Sequence, residues 1–289
     1  MLTANLNQDC MVVSVPGRVR PRKALAQHFL IDRHILNRIV TAAQLAPEDV
    51  VLEIGPGLGS LTRRLLPRVA RVAAVELDAT LADSLPQRLG YPSNLTTVAA
   101  DARTVSIASL VGADTPYKVV ANLPYYAANP IVRRFLEAEP KPRLMVVMVQ
   151  QEVARSMTAA PGEMTILSVA TQYYAVPSLV CAVPPSAFRP PPKVTSAVVR
   201  LEPRPVPPVE VDNPAAFFGM VRAGFAAPRK QLRNSMSQGL ATSSAEVEQC
   251  LASAELDGRR RAETLSLEEW ARLYRAWTQR RTDGSPGLR

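Results

Sequence analysis

Short apolar runs alternate with helix-compatible segments through residues 50–149 of the chain. The first run, 50–54, is Val-Val-Leu-Glu-Ile and stops at glycines, a pattern typical of a buried strand that ends in a turn. Residues 58–66 then carry apolar side chains at helical spacing. The strand pattern recurs at 69–77, 95–100, 117–121 and 144–149. Because the strands alternate with helices and are apolar almost throughout, the pattern predicts an α/β fold whose parallel sheet is covered by helices on both faces.

Two later apolar runs, 179–183 and 197–201, have no helix-sized segment between them. We therefore expect them to pair antiparallel at one edge of the sheet. Prolines occupy four of the positions in 203–208. Proline removes a backbone donor and holds the chain extended, so this stretch is typical of an interdomain linker.

Helical periodicity dominates after the prolines. The segments with this periodicity are 215–225, 230–240, 244–254 and 267–280. Ser266 and Glu269 form a capping-box pattern at the start of the last segment. The predicted organisation is a flexible leader at 1–20, an α/β domain at 21–203 and a helical domain at 204–289.

The chain is strongly basic. Its 289 residues include 34 Lys and Arg against 25 Asp and Glu, which gives a net charge of +9 and a pI near 9.9. Such a surplus favours a polyanionic partner such as nucleic acid, the alternative being a basic surface without a ligand. Arg18, Arg20, Arg22 and Lys23 are a solvated tail or an arm that contacts RNA.

The sequence gives little indication of a metal site, a disulfide bond or a membrane-spanning segment. Cys10, Cys181 and Cys250 are far apart, and His28 and His34 are the only histidines of the sequence. This set has no metal-ligand spacing, so we expect no metal site and reduced thiols. No apolar run approaches membrane-spanning length, and the first residues lack the order of a signal peptide. These features predict a cytoplasmic protein.

A glycine loop follows the first strand. Gly55, Gly57 and Gly59 stand at relative positions one, three and five, whereas the dinucleotide motif needs one, three and six. Glu53, two residues before the first glycine, also suits a methyltransferase loop better than a pyrophosphate cradle. A sulfonium cofactor carries a cation and an amino-acid tail and has no phosphate to bind, so the loop favours S-adenosylmethionine.

Acidic residues end the next two strands. Glu76 could accept both ribose hydroxyls of a cofactor, while Asp78 is better explained as a helix N-cap. Asp101 could accept from an adenine amine or could itself be a helix cap. Ligands of open α/β sheets bind at the carboxyl ends of the strands, so we expect these acids to lie beside the glycine loop.

The sequence Asn122-Leu123-Pro124-Tyr125 follows the fourth strand. An exocyclic aromatic amine is a poor nucleophile because its lone pair is delocalised into the ring. Two acceptors, the Asn122 side-chain oxygen and the Leu123 carbonyl, could hold its hydrogens and localise that pair. Pro124 would stiffen the loop and Tyr125 would stack on a flipped base. Such a site would act through positioning and would need no strong general base.

The order of these motifs resembles the ribosomal RNA adenine dimethyltransferase (KsgA) family. Gln-His-Phe-Leu at 27–30 is similar to the family's N-terminal signature, which covers the cofactor. The proline-rich segment 184–194 is similar to the family loop whose Phe, here Phe188, flanks the target base. The resemblance runs from about Lys23 to Trp277 and includes the basic segment 229–235.

The resemblance implies a class I methyltransferase domain followed by a helical domain. It implies four methyl transfers to two adjacent adenines in the 3′-terminal hairpin of small-subunit ribosomal RNA, free or in an assembling particle, by a monomer. The cofactor contacts that it implies are His28, Leu30, Gly55, Glu76, Asp101 and Asn122. The target-base contacts that it implies are Asn122, Leu123, Pro124, Tyr125 and Phe188.

The chain departs from the family pattern at a few positions. His28 replaces the usual Asn, Ala26 replaces a usual Gly, and Thr165-Ile166 stands where a Tyr-Gly pair is frequent. A neutral imidazole can still donate one hydrogen bond, so we expect His28 to keep a cofactor contact. Phe188 has a core role as its alternative, and the basic residues of 229–233 could be an ordinary solvated helix face.

Two other functions compete with this interpretation. A 23S-type adenine methyltransferase would share the fold and the chemistry, although Asn-Leu-Pro-Tyr with the proline-rich segment favours the small-subunit enzyme. A non-catalytic nucleic-acid-binding module could use the same fold, but the complete loop and strand-end acids argue against it. The glycine spacing makes a nicotinamide dehydrogenase a more distant alternative.

Overall fold

The computed structural model describes residues 27–283 of the chain. The predicted leader and its basic residues lie outside this range, as does Ala26. The strands are β1 Phe29–Leu30, β2 Val50–Ile54, β3 Arg71–Glu76, β4 Leu95–Ala99, β5 Tyr117–Asn122, β6 Leu144–Gln150, β7 Ala175–Val183, β8 Phe188–Arg189 and β9 Ser196–Pro203. The α-helices are α1 Arg33–Ala42, α2 Thr62–Leu65, α3 Ala79–Leu89, α4 Ile107–Val111, α5 Ala128–Glu137, α6 Gln151–Met157, α7 Ile166–Tyr174, α8 Pro214–Gly224, α9 Leu232–Leu240, α10 Ser244–Ser253 and α11 Leu267–Asp283.

Seven strands form the main sheet in the order β4-β3-β2-β5-β6-β9-β7. The first five in this order run parallel to one another, whereas β9 is antiparallel to both β6 and β7. The predicted parallel sheet and the predicted antiparallel pair at its edge are therefore confirmed. The register sets Ile54 beside Val75 and Ala121, which aligns the carboxyl ends of β2, β3 and β5.

Helices cover both faces of the sheet. Along β2, Val51 packs into one buried cluster with α1 and α2, while its neighbour Leu52 packs into another with α4 and α5. Successive side chains of a strand point to opposite faces, so a sheet that is buried on both sides needs nearly continuous apolar strands. This need explains why the inner strands are apolar at most positions, whereas the edge strand β4 contains Thr96 and Thr97 and is only partly buried.

The helix predicted at 58–66 is only partly present. The α-helix α2 is confined to Thr62–Leu65, and a 3₁₀ turn at Leu66–Arg68 follows it. Gly57 and Gly59 take φ values of +57° and +82°, so the chain forms left-handed turns where the apolar spacing predicted helix. The prediction was wrong about the first turn because glycine conformation overrode side-chain periodicity.

The C-terminal helices agree with the sequence. The proline stretch and the residues after it, 204–213, contain no helix or strand, and α8 to α11 follow within a few residues of the predicted bounds. The capping box is confirmed, because the Ser266 amide donates to Glu269 Oε2 at 2.9 Å and the Glu269 amide donates to Ser266 Oγ at 3.2 Å.

Helix α7 links the two parts of the molecule. Its Val169 and Tyr173 belong to the buried cluster formed by α8 to α11, although α7 precedes the prolines in sequence. Tyr174, the last residue of α7, packs against this cluster and also against the buried cluster that α4 and α5 form with the sheet. The boundary between 203 and 204 stays a prediction, and α7 contributes to the core beyond it.

Candidate active site

All of the predicted site residues line one cavity at the carboxyl end of the sheet. Its wall contains His28, Leu30, Gly55, Glu76, Asp101, Asn122, Leu123, Pro124, Tyr125 and Phe188. Strands β2, β3, β4 and β5 each deliver a motif to this edge as they end, as expected for neighbouring parallel strands. The structure thus brings the predicted cofactor and base contacts together, and their individual roles stay predictions.

The glycine loop lies directly against the end of β5. Gly55 has φ +70°, and a Cβ atom added to it would stand 3.2 Å from the Asn122 carbonyl oxygen. Gly57 has φ +57°, and its added Cβ would stand 3.0 Å from Phe29 Cδ1. Both positions therefore need glycine for backbone conformation and for close approach. The glycine loop thus lies between the end of β5 and the N-terminal segment at Phe29.

Glu76 connects the end of β3 to the glycine loop. Its Oε2 accepts from the Gly57 amide at 3.0 Å and its Oε1 accepts from the Asp78 amide at 3.1 Å. Burial raises the pKa of Glu76, and the backbone hydrogen bonds oppose that rise. Asp78 accepts from the Thr80 amide as the N-cap of α3, which confirms its predicted capping role. Glu76 lines the cavity while Asp78 is absent from its wall.

Asp101 is held by a neighbour in sequence. The Arg103 guanidinium donates to both of its carboxylate oxygens, with Nη2 to Oδ2 at 2.6 Å, and the Arg103 amide donates to Oδ1 at 2.8 Å. This hydrogen bonding lowers the pKa of Asp101. No helix starts at Asp101, so the helix-cap alternative is wrong, although its carboxylate does close a local turn. Arg103 also lines the cavity, and no sequence motif had pointed to it.

Asn122 has its amide nitrogen engaged. Nδ2 donates to the His28 carbonyl oxygen at 3.3 Å, which ties the end of β5 to the N-terminal segment. This hydrogen bond assigns Oδ1 as the acceptor that the side chain presents for other donors. The next residue, Leu123, is buried and donates its amide to the Met148 carbonyl at 3.1 Å. The loop is therefore anchored by the Asn122 side chain on one side and by the Leu123 backbone amide on the other.

Tyr125 is oriented by a serine that no sequence motif singles out. Its hydroxyl lies 2.7 Å from Ser196 Oγ, and Ser196 is fully buried at the start of β9. The Tyr125 ring stacks near the His28 ring, with centroids 6.1 Å apart and an interplanar angle of 24°. Phe188 lines the same cavity and is buried in the cluster beside α1. Its core role and its predicted base contact are thus compatible.

A two-stranded ladder joins the two signature segments. β1 and β8 pair antiparallel, with Leu30 opposite Phe188. The His28 ring lies beside this ladder, with Nδ1 at 2.8 Å from the Pro190 carbonyl oxygen. Since a carbonyl only accepts, Nδ1 is the donor, and a neutral His28 ring then offers Nε2 as an acceptor. The one donor that we expected to serve the cofactor is used by the protein itself.

The basic segment predicted to contact RNA, 229–235, begins in the connection after α8 and runs into the first turn of α9. Lys230 Nζ donates to Gln238 Oε1 at 3.4 Å, and Arg233 forms an ion pair with Glu248 at 3.2 Å. None of these residues is among those that line the cavity. Their contact with RNA stays a prediction.

The cavity fits a cationic cofactor with an amino-acid tail. The acidic side chains among its described lining residues are Glu53, Glu76 and Asp101, and Arg103 forms an ion pair with Asp101. These acidic groups give a pyrophosphate no attraction, and in their ionised form they would stabilise a sulfonium or an ammonium group. The acidic side chains of the wall therefore agree with S-adenosylmethionine and disagree with a dinucleotide.

The sheet order, the glycine loop and the strand-end acids define a class I S-adenosylmethionine-dependent methyltransferase. Among solved structures, the chain is similar to the 23S rRNA methyltransferase ErmE, with 32% identity, a TM-score of 0.69, and coverage of 87% of this chain and 100% of the other. It shares its fold with a dimethyladenosine transferase from Plasmodium falciparum, with 24% identity, a TM-score of 0.74, and coverage of 89% and 98%.

The chain belongs to the ribosomal RNA adenine dimethylase family, whose sequence profile matches residues 18–279. A relative from Dehalococcoides mccartyi, named ribosomal RNA small subunit methyltransferase A, is 46% identical over 90% of each chain. Relatives of the same name from Pelotomaculum thermopropionicum and Synechococcus elongatus are 45% and 44% identical, over 91% and 87% of this chain and 96% and 93% of theirs. The protein is therefore an S-adenosylmethionine-dependent ribosomal RNA adenine dimethyltransferase.

Two features are absent from the described residues, 27–283. No helix in that range is long and apolar enough to cross a membrane. No group of three or more His, Cys, Asp or Glu side chains in it is arranged to hold a metal ion.

Proposed function

We propose that the protein dimethylates the exocyclic amines of two adjacent adenines in the 3′-terminal hairpin of small-subunit ribosomal RNA. The single observation that carries the proposal is the closeness of Asn122 to the glycine loop. A Cβ atom added to Gly55 would stand only 3.2 Å from the Asn122 carbonyl oxygen. The names of the relatives at 44–46% identity support the small subunit as the source of the RNA.

The cofactor end of the cavity would bind through strand-end groups. Glu76 would accept from the ribose hydroxyls, and Asp101 would accept from the adenine amine of the cofactor. Gly55 and the N-terminal segment at His28 and Leu30 would enclose the remainder. When bound, S-adenosylmethionine supplies an electrophilic methyl group on a sulfonium.

The base end of the cavity would position the target amine. Asn122 Oδ1 and the Leu123 carbonyl would accept its two hydrogens, which localises the nitrogen lone pair. Tyr125 and Phe188 would flank the base, with Pro124 stiffening the turn between them. Catalysis would then arise from orientation and from acceptors placed in advance, in a site that excludes water.

A second candidate function is methylation of large-subunit RNA, which the 32% identity to the 23S rRNA methyltransferase ErmE favours. Transfer of tritium from labelled S-adenosylmethionine separates the possibilities when naked large-subunit RNA, naked small-subunit RNA and small-subunit particles are offered in parallel. Mass spectrometry should find dimethyladenosine in the small-subunit product. Label in the large-subunit RNA alone would contradict the proposal, and no label in any substrate would indicate a binding module.

The substrate particle, the monomeric state and the cytoplasmic location are part of the same proposal. The parallel arms with naked RNA and with particles address the first of these. Size-exclusion chromatography with light scattering addresses the second, and fractionation of cells addresses the third.

A further inference from the structure

Glu53 is a buried carboxyl group within the apolar core of the sheet. It occupies the fourth position of β2, where its side chain is 1% exposed, and it lines the wall of the active-site cavity. Neither of its carboxylate oxygens has a hydrogen-bond partner among the described residues. A buried carboxylate is normally held by two or three donors, so this side chain has the surroundings of a neutral acid.

The groups around Glu53 do not provide a counter-charge. Glu76 is the charged group that acts on it within the described part of the chain, and that charge has the same sign. The Thr62 hydroxyl and amide face the carboxyl and favour its ionised form, but neither meets the geometry of a hydrogen bond. Burial, with a smaller contribution from Glu76, raises the pKa of Glu53 to about 8.

We propose that Glu53 is a proton-linked partner of the cofactor: it is a neutral acid in the free enzyme and releases its proton when the positively charged methionine end of S-adenosylmethionine enters the cavity. The O–H bond of the carboxyl group breaks, its electron pair stays on the carboxylate, and the proton passes to solvent. This inference rests on the proposed function and names a positioning residue for its cofactor. The Asn122 loop acts on the RNA base and takes no part in it.

The sign of the pH dependence is set by linkage. Below the pKa of Glu53 in the free enzyme, each binding event must remove a proton, so affinity rises with pH by up to tenfold per unit. Above about pH 8 the carboxyl is already ionised in the free enzyme and the dependence on this group disappears. Binding near pH 7 should release close to one proton from Glu53 for each cofactor bound.

Calorimetry measures this release directly. S-adenosylhomocysteine and S-adenosylmethionine are titrated into the full chain at pH 7 in buffers of different ionisation enthalpy, which gives the number of protons exchanged. Glu53→Gln keeps the shape and removes the titration, and Glu268→Gln, at an exposed position on α11, is the matched control. The cofactor's own amino group titrates equally in all three proteins, so the difference between them isolates Glu53.

The expected result is that the wild type and Glu268→Gln release about one proton more than Glu53→Gln. The affinity of the wild type should also exceed that of Glu53→Gln by a ratio that grows between pH 6 and pH 8. Equal proton release in the three proteins would overturn the inference. No binding of either ligand to the wild type would instead overturn the proposed function, so the two failures are distinguishable.

A measurement on the wild type alone covers the case in which Glu53→Gln does not fold. Infrared difference spectra should lose the stretching band of a protonated carboxyl group when S-adenosylmethionine is added at pH 7. Retention of that band in the complex would overturn the inference.

Discussion

Gly57 lies where the glycine loop packs against Phe29 of the N-terminal segment. Its φ is +57°, and a Cβ atom would meet Phe29 Cδ1 at 3.0 Å and Cε1 at 3.1 Å. Its amide also donates to Glu76 Oε2 at 3.0 Å. Gly57→Ala therefore perturbs three parts of the site with a single methyl group: the glycine loop, Glu76 as the proposed ribose acceptor, and the N-terminal segment proposed to cover the cofactor.

These distances set the size of the effect. A left-handed conformation costs an L-residue about 1–2 kcal/mol. Carbon atoms pack best at about 3.5–4.0 Å, so the Phe29 ring must move by roughly 0.5 Å, and β1 moves with it. We expect cofactor affinity to fall by about 1.4 kcal/mol or more, which is about tenfold.

Gly90→Ala is the matched control for this change. Gly90 is the C-cap of α3 with φ +81°, and an added Cβ would meet no atom within 4 Å. Both variants should lower Tm, by about 2–4 °C for each kcal/mol lost, but only Gly57→Ala should weaken S-adenosylhomocysteine binding in calorimetry. A wild-type Kd for Gly57→Ala, alongside an equal loss of Tm in both variants, would refute this account of the loop.

Three further variants test other parts of the site. Asn122→Ala should abolish tritium transfer while RNA affinity in a filter-binding assay stays nearly intact, because the proposed role of this side chain is to hold the target amine. Equal loss of transfer and of RNA affinity would contradict this division of roles. Glu76→Ala should weaken cofactor binding in calorimetry by tenfold or more, since a buried acceptor bound to two amides is removed, and an unchanged Kd would exclude Glu76 from the ribose site. Ser196→Ala should lower kcat about fivefold, equivalent to about 1 kcal/mol for one hydrogen bond to Tyr125, with the cofactor Kd unchanged; a kcat equal to that of wild type would show that the hydroxyl contact does not position the ring.

The sheet and its functional edge were predictable because local patterns determine them. Mostly apolar runs identified β2 to β6. Parallel strands bring the residues at their carboxyl ends to one edge, so Glu76, Asp101 and Asn122 could be grouped without a structure. The pairing of β7 with β9 was also predictable, since no helix-sized segment separates their apolar runs.

Contacts between segments distant in sequence were beyond prediction. The ladder of β1 with β8 joins two-residue strands about 160 positions apart, and neither strand has a periodicity of its own. Ser196 precedes an apolar strand like many serines, and only the packing of β9 against β6 brings it to Tyr125. Glu53 was recognised as an acid before a glycine loop, but its lack of hydrogen-bond partners is a property of three-dimensional packing.

Helix α7 has a consequence for how this enzyme could be divided or recombined. Tyr173 packs 5.6 Å from Phe217 and 5.3 Å from Phe218, measured between ring centroids. A fragment that stops at the prolines would lack Phe217 and Phe218, so Tyr173 would be exposed to solvent and the fragment should aggregate. A chimera that exchanges the C-terminal helical domain between relatives would have to exchange residues 166–174 with it. The exchangeable unit therefore includes α7, a helix that precedes the proline linker in sequence.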